Sequence, residues 1–170
     1  MLDLVSARPA TLGSARLLCI DGPAGSGKTT LAAAVHAAAP RSIVVHVDDL
    51  LEGWGGLPGV ATRLDPLLLP LSHDETGRYE RWDWAAQRYA ETVLVPPTPL
   101  LVVEGVGAGS RRHAARATAL VWVEVADDLR LRRGLARDGE AMREHWERWM
   151  LDEGRHFMDE RTRERADMVV

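Results

Sequence analysis

The stretch IDGPAGSGKTTLAAAV, Ile20–Val35, decides the fold of this chain. It fits the pattern G-x-x-x-x-G-K-[ST] at Gly22, Gly27, Lys28 and Thr29, between an apolar run and an alanine-rich segment. Glycines let backbone N–H groups turn inward around an anion, and the start of a helix adds the positive end of its dipole. The stretch therefore predicts a strand, a phosphate-binding loop and a helix that opens at Lys28.

This loop is predicted to bind ATP. Lys28, the only lysine of the chain, supplies a mobile positive charge for the β- and γ-phosphates, and we expect it at an exposed helix start. The hydroxyl of Thr29 is suited to ligate Mg²⁺. The residues predicted to bind ATP are Gly22, Pro23, Ala24, Gly25, Ser26, Gly27, Lys28, Thr29 and Thr30.

Composition limits the partners of the protein. Its 170 residues, 46% hydrophobic and 27% charged, suit one ordered domain, and a net charge of −4 argues against nucleic acid as a partner. A single cysteine, Cys19, allows no internal disulfide, which suits a reducing cytoplasm. The chain begins without signal-peptide features and has no apolar stretch of the roughly 18 to 20 residues needed to cross a bilayer. We expect a cytoplasmic protein without a membrane partner, and whether it forms a homo-oligomer stays open.

Strands and helices alternate along the chain. Apolar runs rich in Val, Leu and Ile predict buried strands at Arg16–Ile20, Ile43–Val47, Leu100–Val103 and Leu120–Val125, and the terminal stretch Asp167–Val170 is a candidate fifth strand. Helices are predicted at Lys28–Ala39, Ser110–Ala117, Leu129–Arg137 and Glu140–Met158. This order is typical of an α/β fold, here a P-loop NTPase-type parallel sheet of about five strands with helices on both faces.

Residues 1–170 are predicted to form a single domain with two added regions. The segment at about 50–99 is rich in Gly and Pro, and we interpret it as an excursion over the carboxyl edge of the sheet, with a helix near Val60–Leu69. A lid region is predicted at about 127–141. It would close over ATP, and the excursion would bind the second substrate.

Carboxylates stand where two of the strands end. Asp48 and Asp49 follow the second strand and Glu104 the third, and ligands collect at the carboxyl ends of strands in such sheets. Glu104 is predicted to hold Mg²⁺ with Thr29, and Asp48 to accept a proton from an attacking hydroxyl. Alternation along the strand predicts that Asp48 and Asp49 point apart.

Arginines mark the predicted lid. Arg130, Arg133 and Arg137 follow a spacing of i, i+3 and i+7, so a helix places them on one face. Their like charges indicate either a solvated basic face or a surface that binds anions. We predict that Arg133 and Arg137 stabilise the charge on the transferred phosphoryl group.

The excursion carries the candidate acceptor residues. Trp54, which lies among glycines, is predicted either to stack on a planar acceptor or to pack in the core. Arg81 and Asp83 are candidates to bind acceptor groups, although Asp83 could instead pair with Arg81 or Arg78. Core packing is the favoured interpretation for Trp84, Trp146 and Trp149. The histidines show no metal-ligand spacing. His46 is on the same side of its strand as Asp48, so it could line the site, although a core residue is the favoured interpretation.

These features resemble the uridine kinase family of P-loop kinases over most of the chain. The matches are the loop Gly22–Thr30, the acid at Asp48, the strand VVEGV with Glu104, the segment DDLRLRRGLARD, and AD at Ala166–Asp167. The resemblance implies Mg-ATP-dependent transfer of the γ-phosphoryl group to a hydroxyl, typically the 5′-hydroxyl of uridine or cytidine, with Asp48 as the base.

The chain also departs from the pattern of that family. Leucines, Leu50 and Leu51, stand where an aromatic residue is usual, and RWDW replaces a stretch with histidine and proline. The acceptor alternatives are a sugar acid, a vitamin precursor or a nucleoside monophosphate. A different class, an ATP-hydrolysing switch protein, also stays open.

Overall fold

The computed structural model describes residues 1–170, and the elements are numbered here in chain order. The strands are β1 (Arg16–Asp21), β2 (Ser42–His46), β3 (Gly77–Asp83), β4 (Arg88–Val95), β5 (Leu100–Glu104), β6 (Ala119–Trp122) and β7 (Met168–Val169). The α-helices are α1 (Leu2–Ser6), α2 (Lys28–Ala38), α3 (Val60–Arg63), α4 (Asp65–Leu71), α5 (Asp127–Asp138), α6 (Arg143–Glu160) and α7 (Thr162–Arg165). None of these helices is both long enough and apolar enough to cross a membrane.

Five strands form one parallel sheet in the order β2-β5-β1-β6-β7. Residues of β1 alternate between two apolar clusters because successive side chains of a strand point to opposite faces. Leu18 and Ile20 pack with α1 and α2, whereas Leu17 and Cys19 pack with the excursion and α6. The predicted α/β fold, with helices on both faces of the sheet, is confirmed.

The excursion contains a feature that we did not predict. Strands β3 and β4 pair as an antiparallel hairpin that is separate from the main sheet, and β3 packs on α4. The helix predicted near Val60–Leu69 is divided into α3 and α4, and Pro66 stands in the first turn of α4. Proline restricts the residue before it, which favours a break at this point.

Two other predicted helices differ in type or in extent. The segment predicted at Ser110–Ala117 is a 3₁₀ helix at Arg111–Arg116. The long C-terminal helix opens with a 3₁₀ turn at Glu140–Met142 and continues as α6. The second strand ends at His46, and a 3₁₀ turn covers Val47–Asp49.

Candidate active site

The phosphate-binding loop leaves β1 at a buried acid. The carboxylate of Asp21 accepts hydrogen bonds from the backbone N–H groups of Gly22 (2.7 Å), Gly107 (3.0 Å) and Gly109 (2.7 Å). Gly22 has a φ of 139°, and a side chain there would collide with the carbonyl of Val123. Only glycine tolerates both this positive φ and this close approach. The hydrogen bonds from both sides allow Asp21 to fix the start of the loop relative to the chain that follows β5.

Lys28 is not exposed, contrary to our expectation. It is only 7% exposed, and its Nζ donates a hydrogen bond to the carbonyl of Pro23 at 2.9 Å. Burial lowers the pKa of Lys28, while the charges of Asp48, Asp21 and Glu104 oppose that shift. Acids on β5, on the turn after β2 and on α6 surround the ammonium group of Lys28 and offset part of the cost of burying its charge.

Thr29 and Glu104, the two residues predicted to hold Mg²⁺, are in contact beside Lys28. The hydroxyl of Thr29 donates to Oε1 of the buried Glu104 at 3.0 Å. Nδ1 of His46 lies 2.5 Å from the same oxygen, and this carboxylate raises the pKa of His46. His46 is half-exposed and paired, so its interpretation as a core residue was wrong. A hydroxyl and a carboxylate are hard oxygen ligands that fit Mg²⁺.

Asp48 and Asp49 both line the same cavity, although they face different charges. They lie on the 3₁₀ turn after β2, so strand alternation was the wrong reason to separate them. Burial raises the pKa of both carboxyls. The charges of Lys28 and Arg137 oppose the shift at Asp48, whereas His46 opposes it at Asp49.

One cavity of about 710 Å³ joins these groups. Its phosphate end is formed by the glycine loop with Lys28, Thr29 and Glu104. Its other end is lined by the indole rings of Trp54, Trp84, Trp146 and Trp149. The volume and the mixed lining suit a nucleotide together with a small second substrate.

The aromatic end is built around Trp54. Its ring stacks on His145 with centroids 5.7 Å apart and meets the edges of Trp84, Trp146 and Trp149. Trp84 is 37% exposed, and its Nε1 donates to the backbone carbonyl of Asp48 at 3.0 Å, so core packing was the wrong interpretation for this residue. Trp146 and Trp149 are buried as expected, and they also line the cavity.

Arg81 and Asp83 do not line the cavity, so the structure does not bring these two predicted acceptor residues to the site. The guanidinium of Arg81 is bound by both carboxylate oxygens of Glu91, at 2.7 and 3.0 Å. Asp83 accepts hydrogen bonds from Ala85 and Ala86 N–H and so caps the turn of the hairpin. Their partners are local because both residues lie at the end of β3, where the hairpin turns.

The predicted lid arginines separate into two groups. Arg133 and Arg137 line the cavity, as expected. Arg130 is buried and forms ion pairs with Glu153 and Asp127 instead. Helical spacing therefore identified the face of α5, but it did not show that one of the three arginines, Arg130, is buried in an ion pair.

Sequence reasoning missed Asp138, Gln87 and Glu153. Asp138 binds the guanidinium of Arg137 and accepts a hydrogen bond from Nε1 of Trp146 at 2.9 Å. Gln87 lines the cavity from the hairpin turn. A signal was present for Glu153, because it follows Trp149 by four residues on the apolar face of α6, where a carboxylate requires a partner.

The chain is similar in sequence and in fold to known kinases. No protein-family model matches the chain. A uridine kinase of Borreliella burgdorferi (strain ZS7) is 23% identical over 178 residues, covering 92% of this chain and 86% of that protein.

Two solved structures share the fold. A protein of Silicibacter sp. TM1040, provisionally described as a fructose transport system kinase, superposes with a TM-score of 0.71 and 21% identity, covering 92% of this chain and 89% of that one. A protein of Bacillus stearothermophilus, provisionally described as a uridine kinase, gives a TM-score of 0.64 and 18% identity, with coverages of 91% and 88%.

The fold is that of the P-loop kinases, and the relatives indicate a kinase, an enzyme that transfers a phosphoryl group. Within that class the chain is uridine kinase-like, as its sequence predicted.

Proposed function

We propose that this protein transfers the γ-phosphoryl group of Mg-ATP to a hydroxyl of an uncharged, planar acceptor, a nucleoside such as uridine or cytidine. The observation that carries the proposal is one cavity in which a phosphate-binding loop and Asp48 face an aromatic end. The exposed indole of Trp84 and the half-buried indole of Trp54 favour a flat ring over a compact sugar acid, because an indole face binds a planar ring by stacking.

The arginines argue against a monophosphate acceptor. The two that line the cavity, Arg133 and Arg137, both lie on α5, and Arg133 donates to the carbonyl of Gly25 in the phosphate-binding loop at 3.3 Å. Arg63 and Arg81, on the excursion, are paired with glutamates and lie outside the lining. At the aromatic end an acceptor phosphate would meet only Arg137, whose guanidinium lies 5.7 Å from the centre of the Trp146 ring and is already bound by Asp138. Phosphate recognition favours an arginine that is free to bind the phosphate with both of its donors.

Each residue has a defined task in the proposed reaction. Amides of the loop and Lys28 hold the β- and γ-phosphates, while Arg133 and Arg137 stabilise the charge on the transferred group. The acceptor oxygen bonds to the γ-phosphorus as the bond from that phosphorus to ADP breaks, and the hydroxyl proton passes to Asp48. Thr29 and Glu104 would hold Mg²⁺, which when bound neutralises charge on the phosphates.

We also propose the domain plan and the location that the sequence indicates. Residues 1–170 form one kinase domain, in which residues 50–99 bind the acceptor and residues 127–141 form the lid. The enzyme works in the cytoplasm. The structural support is that both regions contribute residues to the same cavity, among them Trp54 and Arg133.

A substrate panel tests the proposed function. Purified protein is given Mg-ATP with uridine, cytidine, UMP, a sugar acid or no acceptor, and ADP and phosphorylated products are separated by chromatography. We expect turnover with a nucleoside. Faster turnover of UMP or of the sugar acid would refute the proposed acceptor, and ATP hydrolysis that no acceptor accelerates would favour a switch protein.

A further inference from the structure

Glu153 is a buried carboxylate that joins three parts of the protein. It lies on α6 and is 1% exposed. Its oxygens accept hydrogen bonds from the N–H of Ala24 in the phosphate-binding loop at 2.9 Å and from Nε1 of Trp149 at 3.0 Å, and they form an ion pair with Arg130 of α5. A carboxylate removed from water needs such partners, and here they come from the loop, from α5 and from its own helix.

Helix α5 is packed directly against the phosphate-binding loop at this point. Gly25 lies so close to α5 that a Cβ there would stand 2.7 Å from the carbonyl oxygen of Arg130. The side chain of Arg133, one turn further along α5, donates to the carbonyl of Gly25 at 3.3 Å. The first half of α5 therefore packs on the phosphate-binding loop, and Glu153, on α6, binds both the loop and α5.

We infer that Glu153 is a positioning residue, which sets α5 against the phosphate-binding loop so that Arg133 and Arg137 point into the cavity before ATP binds. The inference rests on the proposed phosphoryl transfer, because it assigns these arginines to the transferred group. Glu153 and Arg130 neutralise each other. Replacing Arg130 removes the ion-pair partner of the buried Glu153, and replacing Glu153 leaves the buried Arg130 with only the exposed Asp127 as its partner. In the parent protein the first half of α5 is thus held against the loop, and any closing movement of the lid is confined to the residues that follow it.

Glu153→Gln tests this, because glutamine keeps the shape and the hydrogen-bonding oxygen while removing the charge. We expect kcat to fall by about 10- to 100-fold, since small errors in the position of catalytic groups have effects of this size. The KM for ATP should change little, because the loop amides and Lys28 remain. Hydrogen–deuterium exchange should rise within residues 127–138 while the central strands stay protected. Asp167→Asn, which breaks the pair of Asp167 with Arg8, is the control: it should lower Tm and leave kcat unchanged.

A second variant separates positioning from folding. Arg130→Gln should lower kcat in the same way, and the double variant Glu153→Gln/Arg130→Gln should lose no more than either single variant, because both changes remove one interaction. If Glu153→Gln fails to fold, Arg130→Lys keeps the charge but loses the planar fork of donors, and a lower kcat at unchanged KM for ATP is again expected.

An unchanged kcat, or exchange that rises equally over the whole chain, would overturn the inference and leave Glu153 as a packing residue. The exchange measurement needs no acceptor. It therefore tests the position of α5 even if the substrate panel refutes the proposed phosphoryl transfer.

Discussion

Replacing Gly134 by alanine tests how closely α5 packs on α6. A Cβ at Gly134 would lie 2.7 Å from Cη2 of Trp146 and closer still to two other ring atoms. Carbon atoms in good contact are about 3.5–4.0 Å apart, so the ring or the helix must move by about 1 Å. The ring is only 1% exposed and its Nε1 is bonded to Asp138, so it has little room to yield.

The expected loss follows from two opposing effects. Overpacking costs about 1–3 kcal/mol, and contacts as short as these belong in the upper part of that range, about 2–3 kcal/mol, while alanine in place of glycine in a helix returns about 1 kcal/mol. Gly134→Ala should therefore reduce the free energy of unfolding by about 1–2 kcal/mol, which for a chain of this length lowers Tm by about 2–8 °C. Displacement of Trp146 should also disturb Asp138 and Arg137, so kcat should fall.

Gly154 of α6 provides the matched control. No atom lies within 4 Å of a Cβ built there, and its backbone is helical. Gly154→Ala should therefore raise the free energy of unfolding by up to about 1 kcal/mol. Thermal and urea unfolding measure the free energies of unfolding of both variants and of the parent protein. If Gly134→Ala is as stable as the parent, or gains as Gly154→Ala does, then α5 does not rest on Trp146 as described.

The remaining predictions concern the site. Lys28→Ala should abolish the rise of Tm that ATP causes, because the cation at the phosphates is lost, and a rise that persists would contradict this role. Glu104→Gln should increase the magnesium concentration needed for half-maximal activity, and an unchanged requirement would show that Glu104 has another function. Asp48→Asn should lower kcat by at least about 10²-fold and Asp49→Asn by much less, and equal losses would mean that the wrong carboxylate was chosen. Activity should fall as the pH falls through the raised pKa of Asp48, because a protonated carboxyl accepts no proton; a parent enzyme without this acidic limb would refute the assignment.

The central sheet could be predicted because its strands are covered on both faces and so appear as continuous apolar runs. The hairpin could not, because a register shift between Glu80 and Trp82 breaks the alternation on which strand prediction depends. Tyr79 and Trp82 are both buried although they stand an odd number of residues apart.

The nucleotide side of the site can be predicted from local sequence, because its residues lie on one loop and at the ends of two strands. The acceptor side depends on contacts between distant segments, and these have no local signal. Trp84 is an ordinary core candidate by composition, and only the folded hairpin brings it to the carbonyl of Asp48. Arg130, Arg133 and Arg137 are equivalent by spacing, and only the carboxylate on α6 distinguishes the first from the others.

The hydrogen bond from Trp84 to the carbonyl of Asp48 has a consequence for selectivity. The ring that lines the acceptor end is attached to the backbone of the residue that we propose takes the proton. An acceptor that stacks on Trp84 would therefore be linked through this hydrogen bond to the backbone of Asp48, whereas a hydroxyl compound without a flat ring would lack that link. Binding energy from the unreactive part of a substrate is then used in the chemical step. Such an enzyme would reject wrong acceptors by turning them over slowly, even where it binds them.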